Sequence, residues 1–91
     1  MRTSVDPAGL LAGSRRLRDA AAELADARGA LAAVHVSAAP DLGRAGAEAA
    51  EATWRAGDSA LRSVAAGCTE LADALSLLAR VYAEVDREAV R

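Results

Sequence analysis

The chain has 91 residues and a net charge of −2 at pH 7, and 53% of its residues are hydrophobic although only 2% are aromatic. This length allows one small domain, and the acidic balance argues against the basic surface that nucleic acids or anionic lipids require. Alanine makes up roughly a quarter of the residues; it has the highest helix propensity but little apolar surface to bury. The composition therefore predicts helices around a thin core.

The same sequence indicates where the protein is made and how it could leave the cell. No stretch approaches the roughly 18 apolar residues of a membrane span, so we expect no membrane insertion. The first residues, MRTSVDPAGLLAGS, lack the apolar core of a Sec signal peptide. All basic residues are arginine, which we interpret as the coding bias of a GC-rich, actinobacterial genome. We expect synthesis in the cytoplasm and, if the protein is secreted, a route without a cleaved Sec signal.

The first predicted helix covers residues 7 to about 35. Asp6 is a suitable N-cap, and Pro7 at the first helical position gives up no needed hydrogen bond. The only histidine, His35, would then be a surface residue in the last turn, where a cation is mildly favoured. Leucines recur every seven residues and a smaller residue follows each after three positions, which forms an a/d seam. These pairs are Leu10 and Gly13, Leu17 and Ala20, Leu24 and Ala27, and Leu31 and Val34.

A connector is predicted over about 36–46, because Pro40, Gly43 and Gly46 interrupt the helical pattern there. A second helix follows over about 47–88. Its apolar seam alternates steps of three and four residues without interruption. Cys68, the single cysteine, is predicted to be a small buried hydrophobe of this seam. The seam consists of Trp54, Gly57, Leu61, Val64, Cys68, Leu71, Leu75, Leu78, Tyr82, Val85 and Ala89.

These elements predict an all-α fold: one domain, 1–91, built as an antiparallel two-helix hairpin. The first helix is the shorter, so we expect it to cover the second only to about residue 75. Two helices cannot bury such wide apolar faces, so we predict that hairpins pair into a four-helix-bundle dimer, either as a homodimer or with a related hairpin protein. The partner seam would consist of Leu10, Leu17, Leu24, Leu31, Leu61, Val64, Leu71, Leu75 and Leu78.

The sequence shows no pattern typical of an enzyme. The single histidine has no second histidine or cysteine to complete a metal site, and the carboxylates are distributed as helical surface charge. No glycine-rich loop follows a strand, as a phosphate site would require. We therefore predict a protein that is not an enzyme, with no catalytic residue, metal, cofactor or small-molecule substrate.

Two short patterns allow either a structural or a functional interpretation. Trp54 and Gly57 share a helix face, where the glycine leaves space beside the indole; they form either a core contact or a presented surface element. Tyr82, the only tyrosine, lies one turn before Asp86. Tyr82 could fill a seam position with Asp86 at its edge, or the pair could be a recognition signal on a segment that extends past the first helix.

The whole arrangement resembles the helical-hairpin substrates of actinobacterial type VII (ESX) secretion systems. Within that superfamily it is most similar to the EspC-type secretion-associated proteins, and the resemblance is strongest over LADALSLLARVYAEVDREAVR, residues 71–91. It implies that Tyr82 and Asp86 form a Tyr-x-x-x-Asp export signal. In typical WXG-type members Trp-x-Gly lies in the turn, whereas here Trp54 and Gly57 have Trp-x-x-Gly spacing inside the second helix, which favours the EspC-like branch.

The resemblance implies a small secreted substrate or co-secretion partner, exported folded as a dimer and recognised by the secretion ATPase through Tyr82 and Asp86. A second hypothesis is a cytosolic adaptor or chaperone that pairs with the helical N-terminal region of a larger secreted protein or toxin. A third is a coiled-coil oligomerisation module with no further role. Export would support the first hypothesis, and a persistent larger partner in the cytosol would support the second.

Overall fold

The computed structural model describes residues 5–90, which form two long antiparallel helices joined by a short turn. Helix α1 spans Pro7–Ala38, a single 3-10 turn spans Ala39–Asp41, and helix α2 spans Gly43–Val90. The molecule is a rod of 71 × 16 × 15 Å. The predicted all-α helical hairpin is confirmed.

Both helices run further into the connector than the sequence predicts, so that only residues 39–42 separate them. The reversal depends on Gly43, whose φ of 68° lies in the left-handed region that favours glycine. Helix α2 is continuous through Gly57 and Gly67. Alanine is the commonest residue on both flanks of the connector, and its high helix propensity explains why the helices extend to the turn itself.

The start of α1 is fixed by the predicted cap. The carboxylate of Asp6 accepts a hydrogen bond from the backbone N–H of Ala8 at 3.1 Å, and its carbonyl accepts one from Leu10 at 3.1 Å. Pro7 occupies the first helical position. The cap satisfies one of the orphan N–H groups at the N-terminus, and such caps typically stabilise a helix by about 1 kcal/mol.

Three contacts establish a constant register between the helices. Ser14 bonds to Ala72, Arg28 to Asp58, and His35 to Glu51, so each step along α1 is matched by an equal step back along α2. Moving seven residues from Ser14 to Pro7 therefore moves seven from Ala72 to Ala79. Helix α2 continues for eleven residues beyond that level, or roughly 16 Å at 1.5 Å per residue. We call this segment, residues 80–90, the overhang; it starts later than the predicted residue 75 because α1 is longer than predicted.

The core between the helices is thin. Of the described residues, the only buried hydrophobic ones are Ala72 and Ala79, at 0% and 2% exposure, and the only buried polar one is Ser14. Leu10, Leu17, Leu24, Leu61 and Leu75 are half-buried against the opposite helix. Because alanine buries little area, this core contributes much less hydrophobic stabilisation than the leucine-rich core of an ordinary domain.

Candidate protein-binding surfaces

One side of the hairpin is closed by ion pairs between the helices. Arg28 donates to both carboxylate oxygens of Asp58, at 2.7 and 3.2 Å, and Arg62 approaches the same carboxylate at 3.1 Å. Arg18 and Asp73 form a second, exposed pair at 2.7 Å. The hydrogen bond from Arg28 is the main cause that lowers the pKa of Asp58, and it raises the pKa of Arg28 in return. We call this side the polar side.

A buried hydroxyl pair joins the helices further from the connector. The Ser14 hydroxyl donates to the backbone carbonyl of Ala72 at 2.8 Å, and the Ser76 hydroxyl oxygen lies 2.8 Å from the Ser14 hydroxyl oxygen. Because the single Ser14 proton goes to the carbonyl, Ser76 is the donor in the second bond. A serine at this position lets the two backbones approach closely while every polar atom keeps a partner.

The other side of α2 carries an uncovered apolar row, which we call the open stripe. Its larger members are about half exposed: Val64 at 55%, Leu71 at 52%, Leu78 at 43% and Val85 at 47%. Its members follow each other by alternating steps of three and four residues, so they lie on one line along the helix. A row of this length is typical of a surface that meets another helix. The open stripe consists of Gly57, Ala60, Val64, Gly67, Leu71, Ala74, Leu78, Val81 and Val85.

The predicted partner seam is thus divided by the fold. Its residues Leu31, Val64, Leu71 and Leu78 face outward, whereas the remaining five leucines are half-buried within the hairpin. On α1 the residues that bond to α2 follow a seam leucine by four positions, as Ser14, Arg28 and His35 do, although Gly13, three positions after Leu10, also lies against Leu75. Val34 is accordingly 63% exposed, while His35 is turned inward.

A groove of about 500 Å³ opens near the connector, where the open stripe begins. Trp54 forms part of its wall, and a Cβ on Gly57 would meet nothing within 4 Å, so the space beside the indole that the sequence predicts is present. Leu31 and Val34 line the groove from α1, and Leu61 lines it from α2. The groove is therefore mainly apolar and long enough for side chains of another helix.

The histidine behind this groove was wrongly predicted to be a surface residue. The His35 side chain is only 18% exposed, its Nε2 lies 2.7 Å from a Glu51 carboxylate oxygen, and its ring stacks on Trp54 with centroids 5.5 Å apart. Glu51 also accepts a hydrogen bond from Arg55 at 3.0 Å. The hydrogen bond to His35 is the main cause that lowers the pKa of Glu51. His35 thus holds the last turn of α1 and the indole in place.

The sequence contains a pattern that indicates these inward polar residues. The pattern can be recognised only once the alignment of α1 with α2 is known. Ser14, Arg28 and His35 occupy the same heptad position of α1. Read in the opposite direction, the matching position of α2 carries Glu51, Asp58 and Ala72, which supply a carboxylate for His35 and for Arg28 and a small residue for the serine. Matching polar partners in reverse order on two helices therefore indicate an antiparallel interface.

The residues of the Tyr-x-x-x-Asp pattern both lie in the overhang. The Tyr82 side chain is half-buried and Asp86 is exposed. One turn of helix separates them, and Val81 and Val85, at 49% and 47% exposure, lie beside them. Arg87 pairs with Glu84 in this segment, whereas Asp86 forms no ion pair with any residue of the range 5–90. An aromatic ring, two valines and an unpaired carboxylate are thus presented together.

Cys68 is a free, half-buried thiol of α2. Within residues 5–90, no three histidine, cysteine or carboxylate side chains are grouped so that they could hold a metal ion. Neither described helix combines the length and the apolar character that crossing a bilayer requires. The surface of the described residues offers apolar side chains, one aromatic pair and fixed charges.

Comparison of the chain with known protein families, with characterised proteins and with solved structures finds no match.

Proposed function

We propose that this protein is a small substrate or co-secretion partner of a type VII (ESX) secretion system, exported folded as a dimer. The observation that carries the proposal is the placement of Tyr82 and Asp86, one turn apart on the part of α2 that extends past the first residue of α1. A signal at this place can be bound by a receptor without separation of the two helices, which suits export of a folded hairpin.

Recognition would follow the mode in which an amphipathic helix enters an apolar groove of its receptor, here the secretion ATPase. Tyr82 is the aromatic anchor of this contact. Asp86 contributes specificity, because a carboxylate that finds no cation in a wrong receptor opposes binding. In the free protein Asp86 is exposed, so that binding breaks no ion pair within residues 5–90.

The open stripe supports the dimeric part of the proposal. A hairpin that leaves Leu71 and Leu78 about half exposed gains stability from any helix that covers them. Pairing of two hairpins into a four-helix bundle would do so, and the partner is either a second copy or a related hairpin protein.

Export from an actinobacterial host that carries a type VII system tests the proposal. Wild type, Tyr82→Ala and Asp86→Ala are compared by immunoblot of culture filtrate and lysate, with a cytosolic marker as the lysis control. Glu88→Ala is the matched control: it removes an exposed carboxylate of the same segment, outside the Tyr-x-x-x-Asp pattern. We expect wild type and Glu88→Ala in the filtrate, and a loss of at least tenfold for the other two.

Circular dichroism and size measurements on the purified variants separate signal from structure. Helical and dimeric variants that stay in the cell support an export signal. Unfolding of Tyr82→Ala would assign the tyrosine to the hairpin itself, and normal export of both variants would refute the proposal.

The open stripe also favours a second candidate, a cytosolic adaptor that pairs with the helical N-terminal region of a larger secreted protein or toxin. The stripe, rather than the overhang, would then be the functional surface. In that case the wild-type chain stays in the cytosol with its larger partner, Leu71→Glu disrupts the complex, and Tyr82→Ala leaves it intact.

A further inference from the structure

The hairpin exposes far more surface than a compact protein of its mass. Its accessible surface is 6747 Å², whereas a compact 9.2-kDa monomer exposes about 4,900 Å². The excess of roughly 1,800 Å² falls within the range of about 1,000–2,500 Å² that each subunit of an obligate dimer buries. The surface is thus sufficient for a permanent interface, and the side chains of the open stripe indicate which partner covers it.

The open stripe changes in side-chain size along its length. Toward the connector it begins with Gly57 and Ala60, and toward the overhang it ends with Leu78, Val81 and Val85. Neither Gly57 nor Gly67 has any atom of the hairpin within 4 Å of where a Cβ would stand. One end of the row is therefore a shallow channel and the other end is a ridge.

We propose that a second copy of this chain covers the open stripe, with the two α2 helices antiparallel and Ala60 level with the partner's Leu78. The two-fold axis then passes near residue 69. The channel of each copy receives the ridge of the other, so that one sequence supplies both complementary surfaces.

Every layer of this arrangement joins one small and one large side chain. Gly57 meets the partner's Val81, and toward the axis Val64 meets the partner's Ala74. At the axis Gly67 meets the partner's Leu71. Interfaces with such alternation fill space at the density of a protein interior and let the helix axes approach closely.

The competing arrangements do not share this property. In a parallel pairing in register, each residue lies opposite the same residue of the other copy. Leu71 would then meet the partner's Leu71, and Gly67 would leave a gap against the partner's Gly67. An antiparallel pairing shifted by one heptad brings either Val64 against Val81 or Gly57 against Ala74. Crowded layers and cavities both destabilise an interface, so the proposed register is favoured over all three.

The groove beside Trp54 fits the same arrangement. Its floor includes Thr53 and Gly57, which stand level with the partner's Val85 and Val81. Two valines of the partner's overhang would therefore enter the groove of about 500 Å³ that the isolated hairpin leaves open. The pairing rests on the dimeric part of the proposed function and on the open stripe, whereas export depends on Tyr82 and Asp86, so either can fail while the other holds.

The first test measures the mass of the purified chain by light scattering after gel filtration. We expect twice 9.2 kDa for wild type at micromolar concentration. Leu71→Glu places two charges beside the axis and is expected to weaken the dimer on the order of 100-fold. Ala66→Glu, an exposed site on the opposite face of α2, is expected to remain dimeric. A monomeric wild type, or equal behaviour of the two variants, would overturn the proposal.

The second test fixes the orientation and does not depend on how well Leu71→Glu folds. In a Cys68→Ser background, differently tagged Ala60→Cys and Leu78→Cys chains are refolded together and treated with a short bis-maleimide. We expect crosslinks between the two variants and none between identical chains, because the two copies of residue 60 lie about 27 Å apart along the axis. Crosslinks between two Ala60→Cys chains would indicate parallel pairing and overturn the proposal.

Discussion

Neighbouring residues of α2 differ sharply in their exposure to solvent. Ala72 and Ala79 are buried against α1, at 0% and 2% exposure, whereas Leu71 and Leu78, each one position earlier, are 52% and 43% exposed. Val64 and Ala65 show the same order. Burying a leucine removes more apolar surface from water than burying an alanine, so a hairpin that had to be stable alone would be expected to bury Leu71 and Leu78. Here the small residues set a close distance between the two helices, and the large ones remain available for another surface.

The largest loss of stability is expected when a small residue that is buried between the two helices is replaced by a large one. Ala72→Leu inserts three carbons where no space exists, directly under the Ser14 hydrogen bond to the Ala72 carbonyl. We expect a loss of about 3 kcal/mol, the upper end for overpacking. Urea denaturation measures it, with Ala66→Leu as the control, because Ala66 is exposed. If both variants lose the same stability, Ala72 is not a close contact and the contrast between the rows disappears.

Two glycines can distinguish the open stripe from a surface that faces water. Gly29 of α1 and Gly67 of α2 are both exposed, and neither has an atom within 4 Å of an added Cβ. In the isolated hairpin each Gly→Ala change should stabilise its helix by about 1 kcal/mol. We expect that gain for Gly29→Ala only, because a methyl group at residue 67 would press on the partner's Leu71.

Urea denaturation at two protein concentrations distinguishes these outcomes, since the stability of a dimer depends on concentration. Equal gains for Gly29→Ala and Gly67→Ala would mean that residue 67 faces water in the assembled protein.

The smallest effect concerns the polar residues that face α1, and it depends on pH. The hydrogen bonds from Arg28 and His35 lower the folded-state pKa of Asp58 and Glu51 below the values of about 3.9 and 4.3 in an unfolded chain. The unfolded state therefore binds protons first as the pH falls. The stabilisation is fully present above those unfolded values and is lost as the pH drops through the folded ones.

Thermal unfolding between pH 7 and pH 2 measures this loss as a falling Tm. Asp58→Asn should flatten the profile below pH 4, whereas Asp19→Asn, an exposed site whose carboxylate forms no ion pair within residues 5–90, should leave it unchanged. The same slope in both variants would show that the Arg28–Asp58 pair contributes nothing to the folded state.

The sequence was sufficient to predict the two helices, their antiparallel hairpin and the Asp6 cap, because heptad spacing and capping act locally. It was not sufficient to predict which side of a wide apolar arc would turn inward. Leu71 and Ala72 are equally compatible with a seam, and the choice depends on how closely α1 can approach. Ser14 and His35 were missed because a polar residue is stable between helices only if its partner, 62 or 16 residues away, arrives at the same level.

The constant register has a consequence for the order of folding. The His35–Glu51 contact closes a loop of 16 residues, whereas the Ser14–Ser76 contact closes one of 62. Closing the longer loop from an open chain costs about 1.2 kcal/mol more in chain entropy, since it is about two doublings longer. Folding is therefore expected to start at the connector and to proceed outward as a zipper. The level of Ala79 is reached last, so the overhang is the final part of α2 to acquire a fixed position relative to the rest of the hairpin.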